Sequence, residues 1–229
     1  PHNAKLRTFL KDLEPVIAMG PDALIMSDPG LIMLVRKHFP QMPIHLSVQA
    51  NTVNWASVEF WQMQGLSRII LSRELSLEEI EEIRQKVPAM ELEIFVHGAL
   101  CMAYSGRCLL SGYMNKRDAN QGSCTNACRW KYAATPATEN ELGNVVNIVE
   151  PTLGVGAPRD EVFVLHEASR PVEPMSAFED EHGTYIMNSK DLRAVQHVAR
   201  LAAMGVHSLK IEGRTKSHFY CARATQVYR

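Results

Sequence analysis

Apolar residues in the first hundred positions switch repeatedly between helical and extended spacing. Leu6, Phe9, Leu10, Leu13 and Ile17 share one helical face and stop at Gly20, a residue suited to a left-handed helix terminus. The short apolar run over 23–26 has the pattern of a strand buried on both faces. Asp28 and Pro29 offer an N-cap and a first-turn proline for a helix through Leu34 and Val35, ended by Pro40. The cycle repeats with a strand over 44–48, a helix over 55–64 and an extended segment over 68–71. A capping box of Ser76 and Glu79 opens a helix over 77–87, and a further strand covers 92–96. Towards the C-terminus, Ser189 predicts a capped helix over 191–204, followed by Gly205 and a strand over 208–211.

The joints at Met19-Gly20, Gln64-Gly65 and Met204-Gly205 resemble one another, and the early strands start every 21–24 residues. Helix–strand alternation of this length implies parallel strands joined by right-handed crossovers. The predicted fold class is α/β, a parallel (β/α) TIM-barrel-like architecture. No glycine-rich phosphate fingerprint follows an early strand, which weakens the dinucleotide-binding alternative. The chain opens at Pro1 without a methionine and closes at Arg229 in a helical pattern, as the edges of a fragment would. The barrel is therefore expected to be incomplete at its N-terminus. Four regions follow: a βα-repeat half-barrel over 1–97, a cysteine-rich loop over 98–132, an acidic insertion over 133–183 and closing βα units over 184–229. The insertion holds ten acidic residues against Arg159 and Arg170, and a short strand is expected near 162–165.

Composition narrows the function classes. At 229 residues, 46% hydrophobic and 21% charged, with net charge −1, the chain has no global basic field to announce nucleic acid. Its apolar runs fall short of the ~20 residues a membrane span needs, so no membrane partner is expected. Five cysteines, an odd number without a leader peptide, argue against a secreted disulfide framework and for the cytoplasm.

The strongest local signal is Cys101-x6-Cys108-x15-Cys124-x3-Cys128. Four thiols this close suggest metal ligands; the absence of paired Cys-x2-Cys knuckles leaves an iron–sulfur cluster and zinc both open. A second set lies where strands end: Asp28, Gln49, Arg73, Glu74, His97, Glu212 and Arg214, the positions at which barrel active sites gather. Asp28 and Glu74 fit equally well as helix caps or surface pairs. Glu93 and His97, four apart in one strand, are expected on one face with Cys101 nearby. The cysteine-rich loop is also locally basic, with Arg107, Lys116, Arg117, Arg129 and Lys131 against Asp118, and Tyr104, Tyr113, Trp130 and Tyr132 are interleaved. Cations on phosphates and rings under bases suit single-stranded RNA; a solvated loop favouring a thiolate centre is the alternative.

The stretch Glu93-Ile-Phe-Val-His97-Gly98-Ala99-Leu100-Cys101-Met-Ala-Tyr-Ser-Gly106-Arg107-Cys108-Leu-Leu-Ser111-Gly112 resembles the signature of peptidase family U32, the collagenase-like proteins. Asn188-Ser-Lys-Asp-Leu192 and Ser208-Leu-Lys-Ile-Glu-Gly-Arg-Thr-Lys-Ser217 are similar to its two other recurrent motifs. The resemblance implies one of two activities. One is proteolysis, for which the residues offer only Cys101 with His97. The other is oxygen-independent hydroxylation with a cysteine-bound iron–sulfur cluster of the 4Fe–4S type. For a member of this kind it implies 5-hydroxyuridine at the tRNA wobble position, with prephenate as oxygen donor. The implied partners are tRNA and an electron-transfer or RNA-modification protein. Cys101, Cys108 and Cys124 match the family's cluster positions. Several relatives carry the fourth cysteine after the Ser-Lys-Asp-Leu motif, where this chain has Arg193, so Cys128 would substitute. In that scheme Arg73 and Arg214 meet the donor's carboxylates, Glu212 positions substrate, and Glu93 and His97 complete the catalytic set. Arg107, Lys116, Arg117, Arg129, Trp130 and Lys131 would face RNA. A zinc-stabilised, non-catalytic module docking through its acidic insertion is the third reading.

Overall fold

The computed structural model describes residues 2–99, 101, 103–130, 132–139, 141, 145–147, 162–167, 170–180, 183–184, 191–213 and 216–229. They form two compact units, Pro1–Thr125 with Lys190–Arg229, and Asn126–Ser189. The first unit begins with α1 (Asn3–Ala18), β1 (Leu24–Met26), α2 (Pro29–His38), β2 (Ile44–Leu46), α3 (Trp55–Met63) and β3 (Arg68–Ile70). It continues with α4 (Leu77–Lys86), β4 (Glu91–Ala99) and α5 (Leu110–Asn115). The second unit holds β5 (Tyr132–Glu139), β6 (Val145–Asn147), β7 (Val162–Glu167), β8 (Arg170–Asp180) and β9 (Gly183–Thr184). These form an antiparallel sheet in the order β6-β5-β7-β8-β9, where one short strand was expected. The chain then re-enters the first unit as β10 (Asp191–Arg193), α6 (Val198–Ala203), β11 (Ser208–Glu212) and α7 (His218–Tyr228).

Local chemistry accounts for the helix starts. Asp28 Oδ1 accepts from Leu31 N at 2.9 Å, with Pro29 in the first turn. Ser76 and Glu79 exchange both bonds of a capping box, at 3.2 and 2.7 Å. The glycine stops are left-handed at Gly20, Gly65 and Gly205, with φ of +68°, +78° and +80°.

The expected barrel is corrected. β1, β2, β3 and β4 pair in parallel, β11 joins β4 in parallel, and β10 joins β4 antiparallel. The result is a mostly parallel, open six-stranded sheet. Among the described residues β1 pairs only with β2 and β11 only with β4, so the ring of ladders that closes a barrel is not formed. The helix expected over 191–204 is also shorter than predicted. Asp191, Leu192 and Arg193 instead pair with Ala99, Gly98 and His97, and a 3-10 turn at Val195–His197 leads into α6. A non-local ladder here overrides local helix preference. Among the described residues no helix is long and apolar enough to cross a membrane.

One face of the sheet is apolar, and Ile69, Leu71, Leu92, Ile94 and Val96 meet residues of α2, α3, α4 and α6 in the core. Alternate residues put His45, Arg68, Glu91, Glu93, Phe95 and Lys210 on the other face. There Arg68 bonds Glu91 at 2.9 and 2.7 Å and reaches Glu93 at 3.5 Å, while Lys210 holds Glu93 at 2.9 Å. Burial pushes the Glu93 carboxyl up, but Lys210 and Arg68 outweigh it and hold it below the usual carboxylate range. Burial, reinforced by the Arg68 charge, lowers His45.

Both groups are therefore depressed in the folded state, and each contributes stability above its unfolded value that is lost as pH falls towards the folded one. His45 begins to lose its contribution near its ordinary value of 6.5, Glu93 only near 4.5. The urea midpoint should decline from about pH 6.5 downward, and His45→Gln should flatten that upper limb while leaving the more acid one. A wild-type midpoint constant from pH 7.5 to 5 would contradict the shielding of His45.

Candidate functional site

The described residues of the three motif segments include neighbouring strands, with β10 and β11 both paired to β4. Ser208, Leu209 and Lys210 pair with Glu93, Ile94 and Phe95, after which Ile211 pairs with His97 and Glu212 with Gly98. Val96 is thus an extra residue, a β-bulge that shifts the alternation by one. Phe95 stays beside Lys210 on the charged face, whereas His97 lies beside Ile211, which packs on the core. The expectation that Glu93 and His97 share a face is corrected by this bulge. The His97 ring instead meets those of Tyr228 and Tyr220, with centroids 5.4 and 5.5 Å away. Tyr228 Oη donates to the Val96 carbonyl at 2.7 Å and accepts from Ala194 N at 3.0 Å. The buried Val96 carbonyl at the bulge also accepts from Ala194 N at 2.9 Å, so it is satisfied from both α7 and the segment after β10.

Beyond the bulge, β4 and β11 come very close. Gly98 has φ +109°, and a Cβ there would collide with the Glu212 backbone carbonyl. Glu212 Oε2 accepts from Arg73 Nη2 at 2.5 Å, with side chains only 17% and 6% exposed. The Arg73 guanidinium lies 3.5 Å over the Phe95 ring, a cation–π contact strengthened by burial. Its buried Nε has no hydrogen-bond partner among the described residues. Asp191 joins the other two motifs: Lys216 Nζ lies 3.1 Å from its Oδ2, and Tyr220 Oη donates to the same oxygen at 2.8 Å.

Cys101 follows β4. Although its surface is exposed, burial of the thiol is the largest influence and pushes it up. Arg73 pulls it down, and Glu212, Cys124 and Cys108 push it up. These are the groups that act most on Cys101, with His97 turned to α7. No cysteine is in a disulfide. Among the described residues, no three His, Cys, Asp or Glu side chains close up into a metal-holding group. Cys128 belongs to the second unit, in the 3-10 turn Ala127–Arg129.

The loop between Cys101 and Thr125 is held by side chains bonded to backbone and to one another. Buried Ser111 exchanges hydrogen bonds with Thr125 at 3.0 and 3.1 Å, and Asn115 Nδ2 donates to Thr125 Oγ1 at 2.8 Å. Asn120 Nδ2 donates to the Cys108 carbonyl at 2.9 Å. Two strand-end residues moor the loop. Gln49 Nε2 donates to Ala119 O at 3.2 Å, and Glu74 accepts from Ser105 N and Oγ at 2.7 and 3.0 Å. Glu74 fitted a cap or surface pair in the sequence; its bonds are to this loop.

Arg107, Lys116 and Arg117 are exposed on the same loop, with Tyr104, Leu109 and Tyr113 at 48%, 78% and 72% exposure. Trp130 is half-buried in the second unit. Arg214, Lys131 and the Arg129 side chain lie outside the described residues.

The chain is 74% identical over 237 residues to tRNA hydroxylation protein P of Escherichia coli, covering 100% of this chain and 52% of that protein. It is 68% identical over 240 residues to the protein of the same name in Haemophilus influenzae, with 100% and 52% covered. The chain thus spans about half the length of the curated relatives it matches. The solved U32 peptidase Mk0906 shares a partial likeness, with TM-score 0.35 and 21% identity over 42% of this chain and 38% of that one. The family model described as peptidase family U32 matches residues 1–229. This chain, with its three motifs gathered on β4, belongs to peptidase family U32.

Proposed function

We propose that this chain carries the reactive part of a cytoplasmic RNA hydroxylase that forms 5-hydroxyuridine at the tRNA wobble position without molecular oxygen. The observation that carries the reading is the buried Arg73 guanidinium, bonded to Glu212 and stacked on Phe95 at the end of β4 that leads into Cys101, where its charge acts on that thiol. The names of the relatives point to the same reaction class. Cys101, Cys108 and Cys124, with Cys128 as fourth ligand, would hold a 4Fe–4S cluster. Thiolate sulfur is the donor such a cluster takes, and Arg73 partly offsets the burial that pushes the Cys101 thiol up. As placed, the described thiols are not drawn into a metal-holding group, so ligation would gather them. When bound, the cluster supplies one-electron chemistry, fed by an electron-transfer partner.

The chain's own residues do the binding and orienting. Arg73 and Arg214 face the carboxylates of the oxygen donor, proposed to be prephenate. One end of Arg73 is already committed to Glu212, so the donor meets the remainder of the guanidinium. Glu212 fixes Arg73 and positions the base. Arg107, Lys116 and Arg117, with Arg129, Trp130 and Lys131, contact the RNA backbone and bases. Glu93 and His97 act through the frame, one in the ion ladder and the other against α7. The peptidase alternative needs a thiol activated by an oriented base. Burial pushes Cys101 the wrong way for that, and His97 is engaged with Tyr228.

The test is the metal content of the intact protein purified without oxygen. Near-equal iron and acid-labile sulfide are expected, lost in Ser variants of Cys101, Cys108, Cys124 and Cys128. Cys101→Ser should also fail to restore 5-hydroxyuridine in cells lacking the protein. Stoichiometric zinc without sulfide would replace the hydroxylase with a structural knot. Metal-free protein would return the Cys101–His97 peptidase to consideration.

A further inference from the structure

We propose that Glu74 is a positioning residue that sets the placement of Cys101 and Cys108 by clamping the turn between them. Ser105 lies between the two thiols in sequence and is only 4% exposed. Both its donors end on one carboxylate, N–H on Glu74 Oε1 at 2.7 Å and Oγ on Oε2 at 3.0 Å. The turn is closed on itself by Arg107 N to Tyr104 O at 3.0 Å. Its next residue, Gly106, has φ +75°, and a Cβ there would collide with the Gln49 backbone carbonyl. The turn is therefore pressed against the segment after β2 while being held from the segment after β3. Gln49 reaches Ala119, and the adjacent Asn120 holds the Cys108 carbonyl. The two thiols are thus moored from successive strand ends, at Ser105 by Glu74 and at Cys108 through Gln49 and Asn120. Arg73, next to Glu74 in the chain, carries the charge that acts on Cys101. One short segment after β3 supplies both the cation and the clamp.

The role of the clamp rests on the reading that these thiols are ligands, but its geometry can be tested without metal. A carboxylate accepting two bonds supports about tenfold or greater amide protection. In metal-free full chain, Glu74→Leu should accelerate hydrogen exchange at the Ser105 amide about tenfold. It should also change the ratio of alkylation rates of Cys101 and Cys108 by severalfold. Glu74→Gln should restore both readouts, because its amide oxygen can accept from Ser105 N while its NH2 donates to the Ser105 hydroxyl. That rescue separates a hydrogen-bonding clamp from a role of the carboxylate charge, which Gln would not replace. Should Glu74→Leu fail to fold, Ser105→Ala carries the test, expected to shift the alkylation ratio in the same direction. After anaerobic reconstitution, Glu74→Leu should hold less iron per chain than Glu74→Gln. Unchanged exchange and an unchanged alkylation ratio in Glu74→Leu overturn the proposal. A wild type that takes up no iron and sulfide, with the metal-free readouts as expected, overturns the cluster reading alone.

Discussion

Replacing Gly98 by alanine is expected to cost about 3–5 kcal/mol and to leave little soluble protein. Two effects combine. The backbone φ of +109° is one that a side-chain-bearing residue rarely adopts, and the added Cβ would press into the Glu212 carbonyl of β11. The carbonyl cannot swing aside as a flexible side chain would, so β4 and β11 must separate at the end where the site is built. Gly20→Ala is the control, because its φ of +68° is also left-handed but nothing lies within 4 Å of the new Cβ. It should cost only about 1–2 kcal/mol. Urea unfolding of both variants measures the difference, which reports the close approach of the two strands together with the less accessible φ of Gly98. Equal costs would mean that β4 and β11 are not pressed together at Gly98. A loss of 3–5 kcal/mol matters because whole domains are stable by only about 5–15 kcal/mol.

The sequence was most informative where structure is decided locally. Asp28 with Pro29, and Ser76 with Glu79, announced helix starts through bonds spanning three residues. The glycine stops marked the ends, and the motifs marked the segments that now lie side by side on β4. What was not legible depends on partners distant in the chain. The open sheet reflects which strand edges find partners, and no periodicity states that. Residues 191–193 read as the start of a helix until the last residues of β4 captured them as a strand. The bulge at Val96 is invisible to a period-two argument, which counts positions and cannot see an unpaired one; it moved His97 away from Glu93. Glu74 and Gln49 were recognisable as polar strand-end residues, but their partners lie 31 and 70 positions away. The clearest available clue was their place at the ends of adjacent predicted strands, facing whatever loop covers that end of the sheet.

The same distance problem hid the Arg73–Glu212 pair, whose members are 139 residues apart, and that pair gives the second large expected effect. Arg73→Met should cost about 3–5 kcal/mol, since it removes a buried cation from beside a carboxylate only 17% exposed. It also removes the charge over Phe95. Glu212→Leu should be costly for the converse reason, leaving the guanidinium buried with Nη2 as well as Nε unpartnered. The double variant should be much less unstable than the sum, because an apolar pair of similar volume avoids desolvating two charges. A coupling of about 1–3 kcal/mol is expected from the cycle of urea unfolding measurements. Additive costs would show that the two side chains do not act as a unit. The decisive comparison is then between stability and chemistry. If folding recovers in the double variant while the proposed iron uptake and 5-hydroxyuridine formation do not, the ion pair is retained for what its charges do beside Cys101. Recovery of both would reduce it to a structural link between β11 and the end of β3.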